Sequence, residues 1–220
     1  MKPLNYLIIY LIVGSLLSLF TVLVYAWPVL DGVAICTASG NQVLQAMVSD
    51  GDSGAIIIWE ENPNLCPTIY AQRVNRFGSI VWHPNGITIS TSIVPATTAY
   101  PKAISDNSGG AIIVWDDHRN GSDIYAQRVN SLGSTLWALN GVAVCTGSTF
   151  QSLPELVSDD SSGAIICWLD YIATSDIYAQ QINSFGQKLW AENGISVCTA
   201  PVVQQNVQMV TDYSGGAILT

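Results

Sequence analysis

The sequence predicts an all-β fold that is assembled from repeated units of about 53 residues. A phrase of the type Ser-Asp-x-x-[Ser/Gly]-Gly-Ala-Ile begins at Ser49, Ser105 and Ser158, and a shorter copy begins at Thr211. Each phrase runs into a short apolar segment of strand length. No window shows apolar residues at helical spacing with helix caps. These observations together favour strands joined by tight turns.

Two further phrases recur with the same period. Ile-Tyr-Ala-Gln begins at Ile69, Ile124 and Ile177, and its tyrosines are 55 and 53 residues apart. A tryptophan followed three residues later by Asn-Gly occurs in each unit, at Trp82, Trp137 and Trp190. Because several phrases keep one spacing, we interpret the units as true repeats.

Each unit is interpreted as four strands. The first ends at Ser-Asp, and the second is a continuous apolar run such as 111–115, which suits a strand buried on both faces. The third is the Ile-Tyr-Ala-Gln segment, which is rich in aromatic and β-branched residues. The fourth spans Leu-Trp-x-x-Asn-Gly-Val-x-Val-Cys. The tryptophans of the second strand, Trp59, Trp115 and Trp168, are expected to be buried between units.

Four antiparallel strands in about 53 residues is the size of a β-propeller blade. Immunoglobulin-like modules need about 100 residues per copy. Parallel β-helix coils are far shorter and do not carry hairpin turns. We therefore predict a β-propeller of four-stranded antiparallel blades, which is incomplete in this chain.

The chain divides into two regions. Residues 1–26 resemble a secretory signal peptide, with an uncleaved N-terminal anchor as the alternative. Residues 27–220 form the partial propeller: an outer strand at 27–37, three complete repeats and a half repeat at 193–220. We expect the reading frame to continue beyond residue 220, and we expect the protein to be secreted or held at the cell surface.

The charge balance excludes some partners. The chain has 16 acidic and 7 basic residues and a formal net charge of −9. Phosphates would be repelled, so neither nucleic acid nor a membrane beyond the N-terminal segment is an expected partner. A carbohydrate or a protein at the cell surface is the expected kind of ligand.

The repeat phrases resemble those of a known group of proteins. SDNSGGAIIVWDDHRNGSDIYAQRVNSLG and NGVAVCT are similar to repeats of large secreted bacterial proteins of largely unknown function. The resemblance covers residues 31–220. It implies a propeller-like domain, often found with modules for surface sorting or adhesion, but it does not imply a ligand.

The cysteines follow the repeat and do not indicate a disulfide scaffold. Cys36, Cys145 and Cys198 share one repeat position, too far apart between blades to be bridged, and are expected to be small core residues. Cys167 replaces an apolar strand residue, and Cys66 is expected to be exposed. No paired cysteine or histidine motif predicts a zinc site.

The repeated aspartates of the Ser-Asp phrases have two interpretations. They can accept hydrogen bonds from their own turn, with the closing glycine at a positive φ. Alternatively, Asp50 with Asp52, or Asp159 with Asp160, could bind calcium. The second acid is missing at Asn107 and Tyr213, so we expect a structural role and no cofactor, with calcium as the alternative.

Loops that depart from the repeat are the best candidates for a ligand site. Three corresponding connections differ, at 60–68, 116–123 and 169–175. Their candidate binding residues are Asp116, Asp117, His118, Arg119 and Tyr171. They could form a polar, partly aromatic rim, or they could be solvated loops without a ligand.

We predict no catalytic residue and no metal ligand. Repeated acids such as Glu61, Asp117 and Asp170 are expected to satisfy hydrogen bonds of the scaffold, and neither histidine lies near a nucleophile motif. The expected function is therefore an extracellular binding or adhesion module. A secreted carbohydrate-active enzyme, sialidase- or glycosidase-like, is the alternative, and a purely structural spacer is a third possibility.

Overall fold

The computed structural model describes residues 32–61, 66–91, 99–171 and 174–220. All 14 regular elements in these ranges are strands, which form three four-stranded antiparallel sheets and one two-stranded sheet. Sheet 1 contains β1 (Gln42–Ser49), β2 (Ala55–Glu61), β3 (Thr68–Val74) and β4 (Ile87–Thr91). Sheet 2 contains β5 (Lys102–Ser105), β6 (Ala111–Asp117), β7 (Asp123–Val129) and β8 (Val142–Cys145). The predicted all-β class and the four-stranded antiparallel sheets are confirmed.

The last two sheets follow the same plan. Sheet 3 contains β9 (Phe150–Ser158), β10 (Ala164–Tyr171), β11 (Ser175–Ile182) and β12 (Ile195–Cys198). Sheet 4 contains β13 (Met209–Thr211) and β14 (Ala217–Leu219). Within each sheet the strands lie in sequence order, because each turn joins neighbours.

Three predicted boundaries differ from the structure. The fourth strand of each four-stranded sheet begins only after Asn-Gly, so Trp137 lies in the connection before β8. Residues 195–198 complete sheet 3 and do not belong to the half repeat that was expected at 193–220. The described part of the expected outer strand, 32–37, pairs with no strand, although the N–H of Thr37 donates to Oδ1 of Asn85 at 2.8 Å.

The aspartates hold the Ser-Asp turns, as predicted. Oδ1 of Asp106 accepts hydrogen bonds from the N–H groups of Ser108 at 2.8 Å and Gly110 at 2.7 Å. The same pair of bonds is made by Asp50, Asp159 and Asp212.

The expected positive φ of the closing glycine is wrong. That conformation falls on the preceding residue, at Ser53, Gly109, Ser162 and Gly215. Gly110 is required for space instead, because a Cβ atom there would lie 2.0 Å from the carbonyl oxygen of Val129. A close approach of backbone to backbone, and not an unusual dihedral angle, therefore explains the repeated glycine.

Consecutive sheets pack face to face through alternating side chains. Ile113 and Trp115 of β6 join a core with Ile56 and Ile58 of sheet 1. The intervening Ile112 and Val114 join a second core with sheet 3, including Ile166 and Trp168. Since successive strand residues point to opposite faces, one apolar run supplies both cores. Trp59, Trp115 and Trp168 are all buried, as predicted.

Side chains from one repeat also bind the backbone of the next. The indole N–H of Trp137 donates to the carbonyl oxygen of Ser184 at 3.1 Å, and Nη1 of Arg128 donates to the same oxygen at 3.3 Å. Trp82 and Arg73 make the same pair of bonds to Ser131. These repeated residues therefore connect neighbouring sheets.

The N-terminal predictions lie outside the described residues. This applies to the signal segment at 1–26 and to residues 27–31 of the outer strand. In the ranges that the structure describes, no helix has the length and apolar character needed to cross a membrane.

Candidate functional site

The candidate residues lie at the end of the sheets where β6 runs into β7. Asp116 and Asp117 are the last two residues of β6, so their side chains point to opposite faces of sheet 2. Asp117 points to the face that carries Trp115, and Asp116 points toward sheet 3. Two adjacent carboxylates therefore enter different environments.

Asp117 is bound to Arg119. Its Oδ1 accepts from Nε of Arg119 at 2.7 Å, its Oδ2 accepts from Nη2 at 2.5 Å, and the indole N–H of Trp115 donates to Oδ2 at 2.9 Å. Burial raises the pKa of Asp117, but the bonds from Arg119 and Trp115 outweigh it and leave the pKa below its usual value. The carboxylate is thus ionised and already paired.

Arg119 has two further partners. Its Nη2 donates to the carbonyl oxygen of Asn140 at 2.8 Å, and its guanidinium carbon lies 4.2 Å from the ring centroid of Tyr125. The bonds to Asp117 raise the pKa of Arg119 further. Asp117 and Arg119 therefore form a structural unit, and their charges are not directed at a ligand.

Asp116 is buried, with 4% of its surface exposed. Its Oδ2 accepts from the N–H of Leu153 in β9 at 3.4 Å, while its Oδ1 has no partner among the residues that the structure describes. Burial raises the pKa of Asp116 to about 8, and the nearby charge of Glu60 raises it as well. Asp116 is therefore a neutral acid over most of the physiological range.

Glu60, which the sequence analysis did not select, occupies the equivalent position in sheet 1. Its Oε1 accepts from the N–H of Ala99 at 2.8 Å, and burial raises its pKa. Both acids bond to the backbone at a residue in the left-handed region: Tyr100 (φ 45°), which lies just before β5, and Leu153 (φ 55°), which lies within β9. The available signal was an acid directly after the strand tryptophan, together with Tyr-Pro and Leu-Pro at the beginning of the next repeat.

Tyr171 is 41% exposed and contacts Phe150, which is 52% exposed and was also missed. Their ring centroids lie 5.6 Å apart at 72°, an edge-to-face arrangement. Phe150 and Tyr171 are paired residues at the ends of β9 and β10. The pair could not be found from local sequence because its members are 21 residues apart.

The aromatic pair adjoins the connection that carries the other candidates. The hydroxyl of Ser122 donates to the carbonyl oxygen of Gln151 at 2.8 Å, and the carbonyl oxygen of Ser122 accepts from the N–H of Gln151 at 2.9 Å. His118 is partly exposed and borders a small crevice with Ser90 of sheet 1. His118 and the Phe150–Tyr171 pair therefore lie at the same end of the sheets, but the residues that line the crevice at His118 include neither Phe150 nor Tyr171.

The cysteines and the acids show no arrangement for metal binding or thiol chemistry. All five cysteines are free, and burial raises the pKa of Cys145 to about 11 and that of Cys167 to about 12. Cys66 is partly exposed. Within the described ranges, no three His, Cys, Asp or Glu side chains converge on a point where an ion could bind.

Comparisons with known proteins find little. No family model matches this chain, and no curated protein matches it. Among solved structures it is similar to the endo-arabinase from Bacteroides thetaiotaomicron, with a TM-score of 0.37 and 14% identity. The match covers 76% of this chain and 66% of the arabinase chain, which is just under two thirds of that chain's length. A likeness at this level defines neither a family nor a function.

Proposed function

We propose that this chain is part of a β-propeller that acts as an extracellular binding module for carbohydrate. The sheet arrangement supports the propeller. The first strands of successive sheets lie side by side, β1 beside β5, β5 beside β9 and β9 beside β13. Sheets that pack face to face around their first strands are the arrangement of propeller blades.

The observation that carries the binding proposal is the exposed Phe150–Tyr171 pair. Two rings in edge-to-face contact form a rigid apolar surface at low entropic cost, and the C–H face of a sugar ring can stack on such a surface. The partly exposed His118 supplies a hydrogen-bonding group at the same end of the sheets. Exposed aromatic groups bordered by polar groups are typical of ligand sites.

A glycan array probed with the full chain tests this proposal. Phe150→Ala and Tyr171→Ala should each weaken binding at least 10-fold. Phe185→Ala is the matched control, because Phe185 is 78% exposed in the turn at the opposite end of sheet 3. Equal binding by all three variants, or an equal loss in the control, would refute the proposed site.

Localisation is tested separately. Export depends on residues 1–26 and is a proposal from their sequence. Protease added to intact cells that express the full chain should cleave it. Protection of the chain until the cells are lysed would contradict a surface or secreted location.

A secreted carbohydrate-active enzyme is the second candidate, and the carboxyl groups of Asp116 and Glu60 favour it. A glycosidase needs an acid that keeps its proton near neutral pH, and burial gives Asp116 a pKa of about 8. The buried position of both groups, which bond to the backbone of the next sheet, fits a structural role better. Turnover of a polysaccharide panel that is lost in Asp116→Asn would establish the enzyme.

A further inference from the structure

The surroundings of Arg119 show how one end of a repeat binds a guanidinium group. Four groups of sheet 2 surround the guanidinium: the carboxylate of Asp117, the ring of Tyr125, the carbonyl oxygen of Asn140 and, behind the carboxylate, the indole N–H of Trp115. The carboxylate accepts a fork of two hydrogen bonds, and the aromatic face stacks on the planar cation. This combination suits guanidinium better than ammonium.

The same four groups recur 53 residues later in sheet 3. Their counterparts are Asp170, Tyr178, the backbone of Asn193 and Trp168. Trp168 and Tyr178 are stacked with centroids 6.4 Å apart at 24°, which closely matches the 6.4 Å and 30° of Trp115 and Tyr125. The cation itself has no counterpart, because Ile172 occupies the sequence position of Arg119.

Two of the polar atoms that correspond in sheet 3 to those binding or supporting Arg119 have no partner among the described residues. Asp170 is 6% exposed and Trp168 is fully buried. Within the described ranges, neither Oδ1 of Asp170 nor Nε1 of Trp168 has a hydrogen-bond partner. Oδ2 of Asp170 accepts one neutral bond, from Nε2 of Gln151 at 3.2 Å. Nε1 of Trp59 in sheet 1 also lacks a partner among the described residues, so the indole N–H alone does not indicate a ligand. Leaving a buried carboxylate oxygen unpaired is costly, so Oδ1 of Asp170 indicates a site that a ligand completes.

We propose that Asp170, Trp168 and Tyr178 form a binding site for a guanidinium group supplied from outside the chain. The group forms a forked bond to Asp170 and stacks on Tyr178, as Arg119 does in sheet 2. It comes either from an arginine side chain of a partner protein or from a small free guanidine. The site is separate from the proposed carbohydrate surface, because Asp170 and Tyr171 are adjacent strand residues that point to opposite faces.

Sheet 1 provides the matched control. It has Trp59 stacked on Tyr70 at 5.8 Å, but Glu61 replaces the aspartate. The side chain of Glu61 is one methylene longer and the residue is partly exposed, so its carboxylate is not held against the indole as Asp117 is. Glu61→Gln therefore removes a charge from the equivalent repeat position without touching the proposed site.

The test is a titration of the full chain with N-ethylguanidinium, followed by the indole N–H signals in nitrogen-15 NMR spectra. The wild type should show saturable binding that shifts the Trp168 signal. Asp170→Asn should weaken binding at least 10-fold, and Glu61→Gln should leave it unchanged. Arg119→Ala should add a second site of similar affinity at Asp117, and the Trp115 signal should report it.

Ile172→Arg keeps the test independent of whether Asp170→Asn folds. It places an arginine at the sequence position of Arg119 and should abolish binding of the probe while raising the melting temperature. N-acetylarginine amide, titrated in parallel, distinguishes a partner protein's arginine from a small free guanidine. If it binds more tightly than N-ethylguanidinium does, the natural ligand is a protein arginine.

Three outcomes would overturn the proposal. They are the absence of saturable binding to the wild type, equal binding of N-ethylammonium, and undiminished binding to both Asp170→Asn and Ile172→Arg. Glycan binding shows whether this proposal or the proposed function has failed. It should be lost in Phe150→Ala and kept in Asp170→Asn.

Discussion

The ion pair between Asp106 and Arg128 predicts that replacing aspartate by asparagine lowers stability more at position 106 than at the equivalent position 159. Oδ2 of Asp106 accepts from Nε of Arg128 at 3.0 Å and from Nη2 at 2.9 Å. The two side chains are 1% and 12% exposed. In the third repeat the same aspartate position, Asp159, receives one neutral bond at 3.3 Å from Gln181. The repeat thus contains a charged and a neutral version of one contact.

Asp106→Asn should cost much more than Asp159→Asn. An asparagine at 106 keeps the oxygen that binds its own turn, but its amide N–H groups would face the donors of Arg128. Removing one partner of a buried pair costs about 3 kcal/mol at the lower end of the usual range, which suits a pair with an arginine still partly exposed. At 159 the amide of Gln181 can turn to present its oxygen, so the cost should be about 1 kcal/mol or less.

Urea denaturation of the full chain measures the difference. About 2 kcal/mol, divided by a slope of about 2 kcal/mol per molar urea, separates the two midpoints by about 1 M. Tryptophan fluorescence reports the transition, because Trp115 and Trp168 are both buried. Equal midpoints for the two variants would refute the reasoning and show that Arg128 contributes no net stability.

Four further predictions follow from the same structure. Trp115→Ala should cost about 3 to 5 kcal/mol, since the ring is buried between sheets, and a urea-derived loss below about 1 kcal/mol would contradict that packing. Gly110→Ala should lower the urea midpoint, because its Cβ would meet the carbonyl oxygen of Val129; an unchanged midpoint would show that the turn relaxes freely. Because the pKa of Asp116 is raised to about 8, the folded state holds a proton that the unfolded chain releases above about pH 4; stability should therefore fall between about pH 4 and pH 8. Asp116→Asn should flatten that slope in pH-dependent melts, and an identical slope in the variant would be the opposing result. Millimolar calcium should leave the melting temperature unchanged, because both oxygens of Asp106 are bonded to the turn and to Arg128; a rise of several degrees that Asp106→Asn abolishes would restore the calcium interpretation.

The candidate site was only partly accessible to sequence reasoning. The non-repeated connections pointed to the correct end of the sheets for Tyr171, but local sequence did not reveal its partner Phe150. That contact depends on the register of β9 against β10, which places residues 150 and 171 opposite each other. Asp116, Asp117 and Arg119 were expected to form a polar rim. Alternation along β6 separates the two acids, and Arg119 is bound by one of them.

The sequence by itself determined the strands, the turns and the repeat. Each of these rests on interactions within a few residues, such as the bonds from Asp106 to its own turn, or on a period of two along a strand. The tertiary structure decided which carboxylates are paired and which are not. Asp117 and Asp170 occupy the same repeat position, yet Arg119 neutralises Asp117, whereas Oδ1 of Asp170 has no partner in the described part of the chain. The reason is that a side chain's partner depends on what neighbouring strands and connections bring within about 3 Å, and the sequence of a connection can change that partner while the four-stranded plan of the sheet is kept.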